Sequence, residues 1–307
     1  MRASVVLCTY NRAERLRIAL ESLAELEVPA GLEWELLVVD NNSKDETRQV
    51  VQQASTRLPA RYVFEGRQGK SWALNTGIGE SRGEIVVFTD DDVTFDRQWL
   101  TRIVEPFTAG DVLGVGGRIH AVWNGPTPSW WRVGGRRRLM AAVVFFDEGA
   151  APIDLSSPPF GANMAFRREA FDRVGLFQTN LGPAPGSLLR GEDTELARRV
   201  MAAGRVVYAP EAVVFHPVEP ERRRKSYFRR WYFDYGRCTA RVDSLPSPRA
   251  TWFGVPRYMY KQLLTALARA ITMAASRDRF YWELSVYQIA GLMYEVSRSR
   301  RGADQLA

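Results

Sequence analysis

The chain has 307 residues, 46% hydrophobic and 25% charged, with a formal net charge of +7. This is an ordinary globular composition without a disorder signature, long enough for one large domain or a domain with an appendage. The charge is uneven: residues 217–307 carry 17 Lys and Arg against 8 Asp and Glu, whereas residues 1–216 carry 25 against 27. A near-neutral body is therefore joined to a basic segment suited to something anionic.

Residues 3–9 read as a short strand, and Tyr10-Asn11-Arg12 turns out of it. A helix is expected over about 13–26, with Leu16, Ala19, Leu20 and Leu23 at helical spacing, broken by Pro29 and Gly31. The next strand, 34–39, ends in Asp40-Asn41-Asn42-Ser43. Ser43 with Glu46 three residues on has the form of a capping box. A third strand near 62–64 leads to Gly66-Arg67-Gln68-Gly69-Lys70, and 71–78 reads as a helix carrying Asn75.

Residues 85–88 are continuously apolar and β-branched or aromatic, the pattern of a strand buried on both faces. They run into Thr89 and then Asp90-Asp91-Asp92. Three carboxylates at the end of a buried strand repel one another unless a cation sits among them. Asp90 and Asp92, two residues apart, would point the same way on an extended backbone and could share one hard cation. The other reading is a solvated turn whose acids cap the following helix.

Strand–helix alternation of this kind implies a parallel sheet with right-handed crossovers. The loops at Tyr10, Asp40 and Asp90 then lie on one sheet edge, where open α/β sheets bind ligands. That is the geometry of a nucleotide site, yet neither GxGxxG nor a P-loop is present. Phosphate charge would have to be met by a metal and by Arg or Lys, and Lys70 could supply one positive charge.

Farther on, residues 112–122 read as one or two strands, with Gly114, Gly116 and Gly117 allowing close backbone approach. Residues 123–138 form a long connection in which Trp130 and Trp131 serve either as a platform for a sugar face or as loop anchors. Residues 161–167 are a strand entering a helix at 168–174, and 181–189 are a flexible loop. Gly191-Glu192-Asp193-Thr194-Glu195-Leu196 opens a helix, whose acids also suit an ordinary first turn. Two short strands, 206–208 and 212–215, end in His216-Pro217. His120 is expected to be structural.

The motifs Cys8-Thr9-Tyr10-Asn11-Arg12, Val38-Val39-Asp40-Asn41-Asn42-Ser43, Gly69-Lys70-Ser71 with Asn75, Asp90-Asp91-Asp92, Gly161-Ala162-Asn163 with Phe166-Arg167, and Gly191-Glu192-Asp193 occur in this order. Together they resemble the family 2 glycosyltransferases, over about residues 4–217. Cys8 stands where that family often has Pro, and Asn41-Asn42 replace a commoner Asp-Gly.

The resemblance implies a GT-A (Rossmann-like) α/β fold, a mostly parallel central sheet flanked by helices, with a C-terminal helical appendage. It implies a catalytic and nucleotide-sugar-binding domain over 1–217; residues 218–307 read, from their own composition, as a basic, aromatic-rich helical region. Asp40 would accept from a nucleotide base, uracil in a UDP-sugar, with Thr9, Tyr10, Asn11, Arg12 and Asn42 lining the pocket. Asp90 would hold the ribose beside Asp91, Lys70 and Asn75 would serve the same donor site, and Asp92 would bind Mg²⁺ or Mn²⁺ bridging the diphosphate. His216 would approach the metal or the diphosphate, Asp193 would be the general base, and Glu192 would orient the acceptor. A base facing a metal-bound leaving group implies inversion in a single displacement. A nucleotidyltransferase would want an N-terminal phosphate loop that is missing, and a silent scaffold would not need Asp90, Asp92 and Asp193.

Between Arg222 and Arg241 eight basic residues and one acid interleave with Tyr227, Phe228, Trp231, Tyr232, Phe233 and Tyr235. No nucleic-acid-binding signature accompanies them, and aromatics among Arg and Lys suit an anionic membrane surface. Helices are expected over 260–274 and 280–296. No signal peptide is expected, since residues 3–7 are too short an apolar core. No membrane span is expected, because the longest charge-free apolar stretch near the end, 284–294, has 11 residues. With only Cys8 and Cys238, far apart, the expected setting is the cytoplasm, peripheral at the inner face of the cell membrane, with a lipid-linked acceptor as one explanation of the tail.

Overall fold

The computed structural model describes residues 1–123, 125–131, 141–183, 190–242, 250–273 and 279–304. The chain forms two compact units, one built from residues 1–122, 144–187 and 192–217, the other from 123–143, 188–191 and 218–307.

The first unit is a mixed sheet with helices. Strands β1 (Arg2–Thr9), β2 (Glu33–Asp40), β3 (Ala60–Phe64) and β4 (Ile85–Asp90) pair in parallel in the order β3-β2-β1-β4. Helices α1 (Ala13–Leu23), α2 (Thr47–Ala54) and α3 (Lys70–Glu80) alternate with them. Nearly every residue of β1 and β4 is buried, because each strand has sheet neighbours on both sides and is apolar on both faces. α1 buries the expected stripe Leu16, Ala19, Leu20 and Leu23. α3 comes unusually close to β1: a Cβ on Gly77 would run into the Val6 side chain.

Beyond β4 the sheet turns antiparallel. β5 (Thr94–Phe95), β6 (Val112–Trp123), β7 (Ile153–Asp154), β8 (Asn163–Arg167) and β9 (Arg205–Val218) complete it, in the order β4-β8-β6-β9-β5 with β7 also on β9. Helix α4 (Trp99–Val104) follows β5, α5 (Arg168–Val174) follows β8 and α6 (Glu192–Ala203) precedes β9. The sequence separated 206–208 from 212–215, but one 14-residue strand runs through both, because pairing with β5 and β7 holds it extended across Pro210. Phe88 of β4 meets Phe166, Phe171 and Phe177, with ring centroids 5.4–6.2 Å apart, which fastens the antiparallel half to the parallel one.

The second unit is helical: α7 (Lys225–Val242), a two-stranded hairpin of β10 (Thr251–Trp252) and β11 (Val255–Pro256), α8 (Arg257–Thr272) and α9 (Arg279–Asp304). Trp130 packs edge-on against Phe228 and Phe280, each at 5.1 Å, and Trp131 meets Trp123 at 5.0 Å. Both indoles therefore act here as anchors. Residues 124 and 132–138 of the expected connection, 184–189 of the expected loop and residue 274 lie outside the described residues.

Candidate active site

The ends of β1, β2 and β4 come together because the strands are parallel and in register: Thr9 pairs with Asp40 and Cys8 with Asp90. The first two loops are stitched to each other. Asn11 N–H donates to Ser43 Oγ at 2.9 Å, Lys44 N–H to Asn11 Oδ1 at 2.7 Å, and Ala13 N–H to Asp45 at 2.9 Å. Ser43 is thus a loop tie and not a helix cap; α2 begins at Thr47, with Glu46 before it. Asn11 and Asn42 have φ of 51° and 67°, a left-handed conformation that asparagine tolerates better than most residues. This accounts for an asparagine at 42 where the resemblance puts glycine.

Asp40 is buried and already doubly engaged, accepting from Ser43 N–H at 2.8 Å and from the Tyr62 hydroxyl at 2.7 Å. Burial and that bond push the Tyr62 phenol up to about 12. Asn41, which the sequence did not nominate, is the organiser of the next loop. Its amide donates to the carbonyls of Glu65 and Arg67, and its oxygen accepts Gly69 N–H at 2.8 Å. Arg67 lies 4.0 Å over Trp72 and pairs with Glu65, whose carboxyl falls to about 2 chiefly through that bond.

The three consecutive carboxylates are drawn in different directions. Asp90 ends β4 and accepts from Lys70 Nζ at 2.6 Å. Asp91, in the turn, accepts from Thr9 Oγ1 at 2.7 Å and Arg12 at 3.0 Å. Asp92 lies 3.4 Å from Arg12, 3.7 Å from Arg15 and 3.5 Å from His216 Nε2. The cations that offset this cluster are thus Arg12, Arg15 and Lys70. The strand stops at Asp90, and among the side-chain cations Lys70 meets Asp90 while Arg12 is shared by Asp91 and Asp92. Burial raises the Asp91 carboxyl to about 6 against the pull of Arg12. For Asp90 burial acts upward too, yet the Lys70 ammonium, helped by His216 and Arg12, lowers it.

Arg15 went unnoticed in the sequence, although it stands one helical turn after Arg12. An open groove of about 900 Å³ runs beside these arginines, lined also by Asn11 and Lys44. Tyr10 is exposed, and Lys44 Nζ donates to Asn42 Oδ1 at 3.0 Å.

Lys70 opens α3 and also faces Glu192 Oε1 at 4.0 Å. Glu192 is buried at the start of α6, and its Oε2 has no hydrogen-bond partner among the described residues. Burial first, and the charge of Asp193 second, raise its carboxyl to about 7. Next to it Asp193 is partly exposed, accepting from Gly161 N–H at 3.0 Å and Thr194 N–H at 2.7 Å. A Cβ on Gly161 would press on that carboxylate, so glycine permits the approach.

Glu192 is covered by residues 181–183. Gly182, with φ 93°, sits where a Cβ would strike Ser71 Oγ and crowd Glu192. Ser71 Oγ donates to Leu181 O at 2.7 Å and Lys70 N–H to Pro183 O at 3.0 Å. Asn75 completes the fastening: its amide donates to Phe177 O and its oxygen accepts Phe177 N–H, both at 2.9 Å. Both polar ends of Asn75 therefore bond to this segment. Ser71 and Gly182 lie 111 positions apart and carry no local signal. Asn163 and Arg167 are structural, donating to backbone carbonyls of the antiparallel half. His120 stacks on Phe215 at 5.8 Å.

Among the described residues no group of three or more His, Cys, Asp or Glu side chains is assembled around one point. Asp92 and His216 Nε2, 3.5 Å apart, could supply two ligands to a divalent ion, which would need substrate phosphates and water for its remaining positions.

Comparison with known proteins bears on the family and the fold. The sequence model described as "Glycosyl transferase family 2" matches residues 4–175. The succinoglycan biosynthesis protein ExoM of Rhizobium meliloti is 27% identical over 89% of this chain and 86% of its own length. A glucosyl-dolichyl phosphate glucuronosyltransferase of Haloferax volcanii is 26% identical over 82% of this chain and 80% of its own. In fold, the chain is similar to the mannosyltransferase PcManGT of Pyrobaculum calidifontis, solved with GDP-Man and Mn²⁺, at a TM-score of 0.66 and 22% identity over 96% of this chain and 87% of that one. With its family model covering more than half of the sequence and its sheet of the GT-A kind, the chain belongs to glycosyl transferase family 2 and is a glycosyltransferase.

Proposed function

We propose that the chain moves a sugar from a nucleoside diphosphate sugar, a UDP-sugar by the sequence reading, to an acceptor hydroxyl, with inversion at the anomeric carbon. The observation that carries this is the cluster Lys70, Asp90, Glu192 and Asp193: one cation set among three carboxylates at the edge of a nucleotide-type sheet.

In this reading the loops at Thr9–Arg12 and Asp40–Asn42 bind the nucleoside, and Asp90 positions the ribose. Lys70 and the arginines at 12 and 15 balance the diphosphate. Asp92 and His216 would hold Mg²⁺ or Mn²⁺, which as a Lewis acid offsets charge on the departing diphosphate. Asp193, partly exposed and fixed by two backbone N–H groups, takes the acceptor proton at its carboxylate. Burial raises the Glu192 carboxyl to about 7, so Oε2, which meets no partner among the described residues, can donate to or accept from a sugar hydroxyl. The net charge of the 217–307 segment and the relative named for a glucosyl-dolichyl phosphate favour an acceptor delivered on a lipid at an anionic membrane surface.

The test is donor hydrolysis and transfer with UDP-glucose, UDP-GlcNAc and GDP-mannose in the presence of Mn²⁺, with the product anomer read by NMR. Asp92→Asn is expected to abolish metal-dependent turnover. Asp193→Asn is expected to leave nucleotide affinity within about twofold and to lower transfer by at least about 100-fold. Full activity of either variant, or a retained anomer, overturns the assignment.

A further inference from the structure

Part of the aromatic, basic stretch that the sequence nominates for a membrane is engaged inside its own unit. Phe228 and Tyr232 of α7 are buried. Arg237 and Arg241 both pair with Glu295, and Arg229 pairs with Glu283. Most of the exposed large apolar side chains of this unit lie one element later, on the β10–β11 hairpin and α8.

At the hairpin tip Phe253 and Gly254 have φ of 49° and 76°, the pair of left-handed residues that a two-residue type I′ turn requires. Glycine adopts that conformation freely; phenylalanine does so against steric cost. The Phe253 ring gains nothing in return within the described structure, being 90% exposed, and Trp252 beside it is 50% exposed. An aromatic held in a strained turn with its ring in water is accounted for by something outside the chain.

α8 continues the same surface. It packs Met259 with Val255 and Val296, buries Ala266 as well, and turns Leu264, Leu267 and Ile271, at helical spacing, outward. Leu264 is 66% exposed and Ile271 72%. Lys261 and Arg257 stand three and seven residues before Leu264, so they border this stripe, and Arg257 stacks 4.5 Å over Trp252. Residues 250–273 contain Arg257, Lys261 and Arg269 and no Asp or Glu.

We infer that the hairpin tip Trp252-Phe253 and the Leu264–Leu267–Ile271 face of α8 form a docking surface for an anionic lipid bilayer, the two aromatics entering the headgroup region and α8 lying along it. This deepens the membrane association proposed above and does not depend on the transfer chemistry. Charge selects the occupant: two copies apposed through this face would bring like cations together, whereas anionic headgroups meet them. Aromatic tips and a leucine–isoleucine stripe serve a bilayer boundary, where apolar side chains leave water while basic ones stay with the headgroups. Among the described residues no helix is long and apolar enough to cross a membrane, which fits a helix lying in the interface.

The experiment is co-sedimentation of the full chain with vesicles of phosphatidylcholine alone and with added phosphatidylglycerol. Preferential binding to the anionic vesicles is expected. Trp252→Ser with Phe253→Ser, and separately Leu264→Ser with Ile271→Ser, should each lower the partition coefficient by at least about tenfold, with melting temperature and donor hydrolysis unchanged. No binding by the native chain overturns the membrane partner itself, and equal binding to both vesicle types overturns the anionic bilayer as the occupant that charge selects. Native-like binding by both double variants overturns this face while leaving the membrane partner standing. A native dimer in sedimentation velocity that Leu264→Ser with Ile271→Ser dissociates, with vesicle binding unaffected, assigns the face to a second copy and overturns the inference.

Discussion

Lys70 Nζ lies 2.6 Å from Asp90 and 4.0 Å from Glu192, so a single ammonium joins the end of β4 to the start of α6. Burial disfavours its charge, but the two carboxylates outweigh that and raise its pKa. Removing it leaves two mostly buried acids facing each other with no cation between them. Lys70→Met should destabilise the protein by about 3 kcal/mol, the scale for breaking a buried ion pair from one side. It should also weaken nucleoside diphosphate binding at least about tenfold, because the charge proposed to balance the diphosphate is lost. Thermal melts and a binding titration check both, and Lys70→Arg should recover part of each.

Glu192 supplies a pH dependence whose sign is fixed by burial. Its carboxyl rises from an ordinary 4.5 to about 7, so the folded state holds a proton that the unfolded chain releases at lower pH. The stabilising contribution of that protonated form is complete below about pH 4.5 and fades as the pH climbs through 7. Glu192→Gln cannot ionise. It should match the native melting temperature near pH 5 and exceed it near pH 8, by a free energy on the order of 3 kcal/mol if the whole shift is expressed. Melts of nucleotide-free, metal-free protein across that range give the answer; a native-like slope in the variant would assign the dependence to another group.

The parallel half of the fold was legible because its strands are short apolar runs ending in polar loops, and each periodicity maps onto one burial pattern. β1 and β4 needed no tertiary information. What the sequence could not carry were bonds between distant segments. Ser71, Gly182 and Asn75 act on a segment about a hundred residues away, so their types look unremarkable in place. The same holds for the partners of the three aspartates: their spacing marks a cluster, but which carboxylate meets Lys70 and which meets Arg12 depends on where β4 ends. Trp130 and Trp131 had two uses open to them, and only Phe228 and Phe280 decide for anchoring.

Asn75 separates two roles cleanly. Its amide spans both polar groups of the Phe177 backbone, a fastening for the segment that runs on to Gly182 over Glu192. Asn75→Ala leaves a partly buried N–H and C=O without partners and should cost about 1–3 kcal/mol. Transfer should fall with it as Glu192 loses its cover, while the affinity for nucleoside diphosphate stays within about twofold, a bound set by the scatter of such measurements. An affinity loss with an unchanged melt would instead put Asn75 in contact with the nucleotide.

In the helical unit, Gly236 of α7 and Gly291 of α9 let two backbones touch: a Cβ on Gly236 would collide with the carbonyl of Gln288, and one on Gly291 with that of Phe233. The obstacle is main chain, which cannot rotate aside. Alanine normally stabilises a helix interior relative to glycine by about 1 kcal/mol. At Gly236 that gain is outweighed, because the helices must separate and the Arg237 and Arg241 bonds to Glu295 stretch with them. Gly236→Ala should therefore lower stability by about 1–3 kcal/mol. Gly79→Ala, on an exposed turn of α3 where a Cβ meets nothing, should raise it by up to about 1 kcal/mol. Opposite signs in paired melts establish that the glycine at 236 is there for helix contact; a rise in both would show that α7 and α9 pack less closely than this.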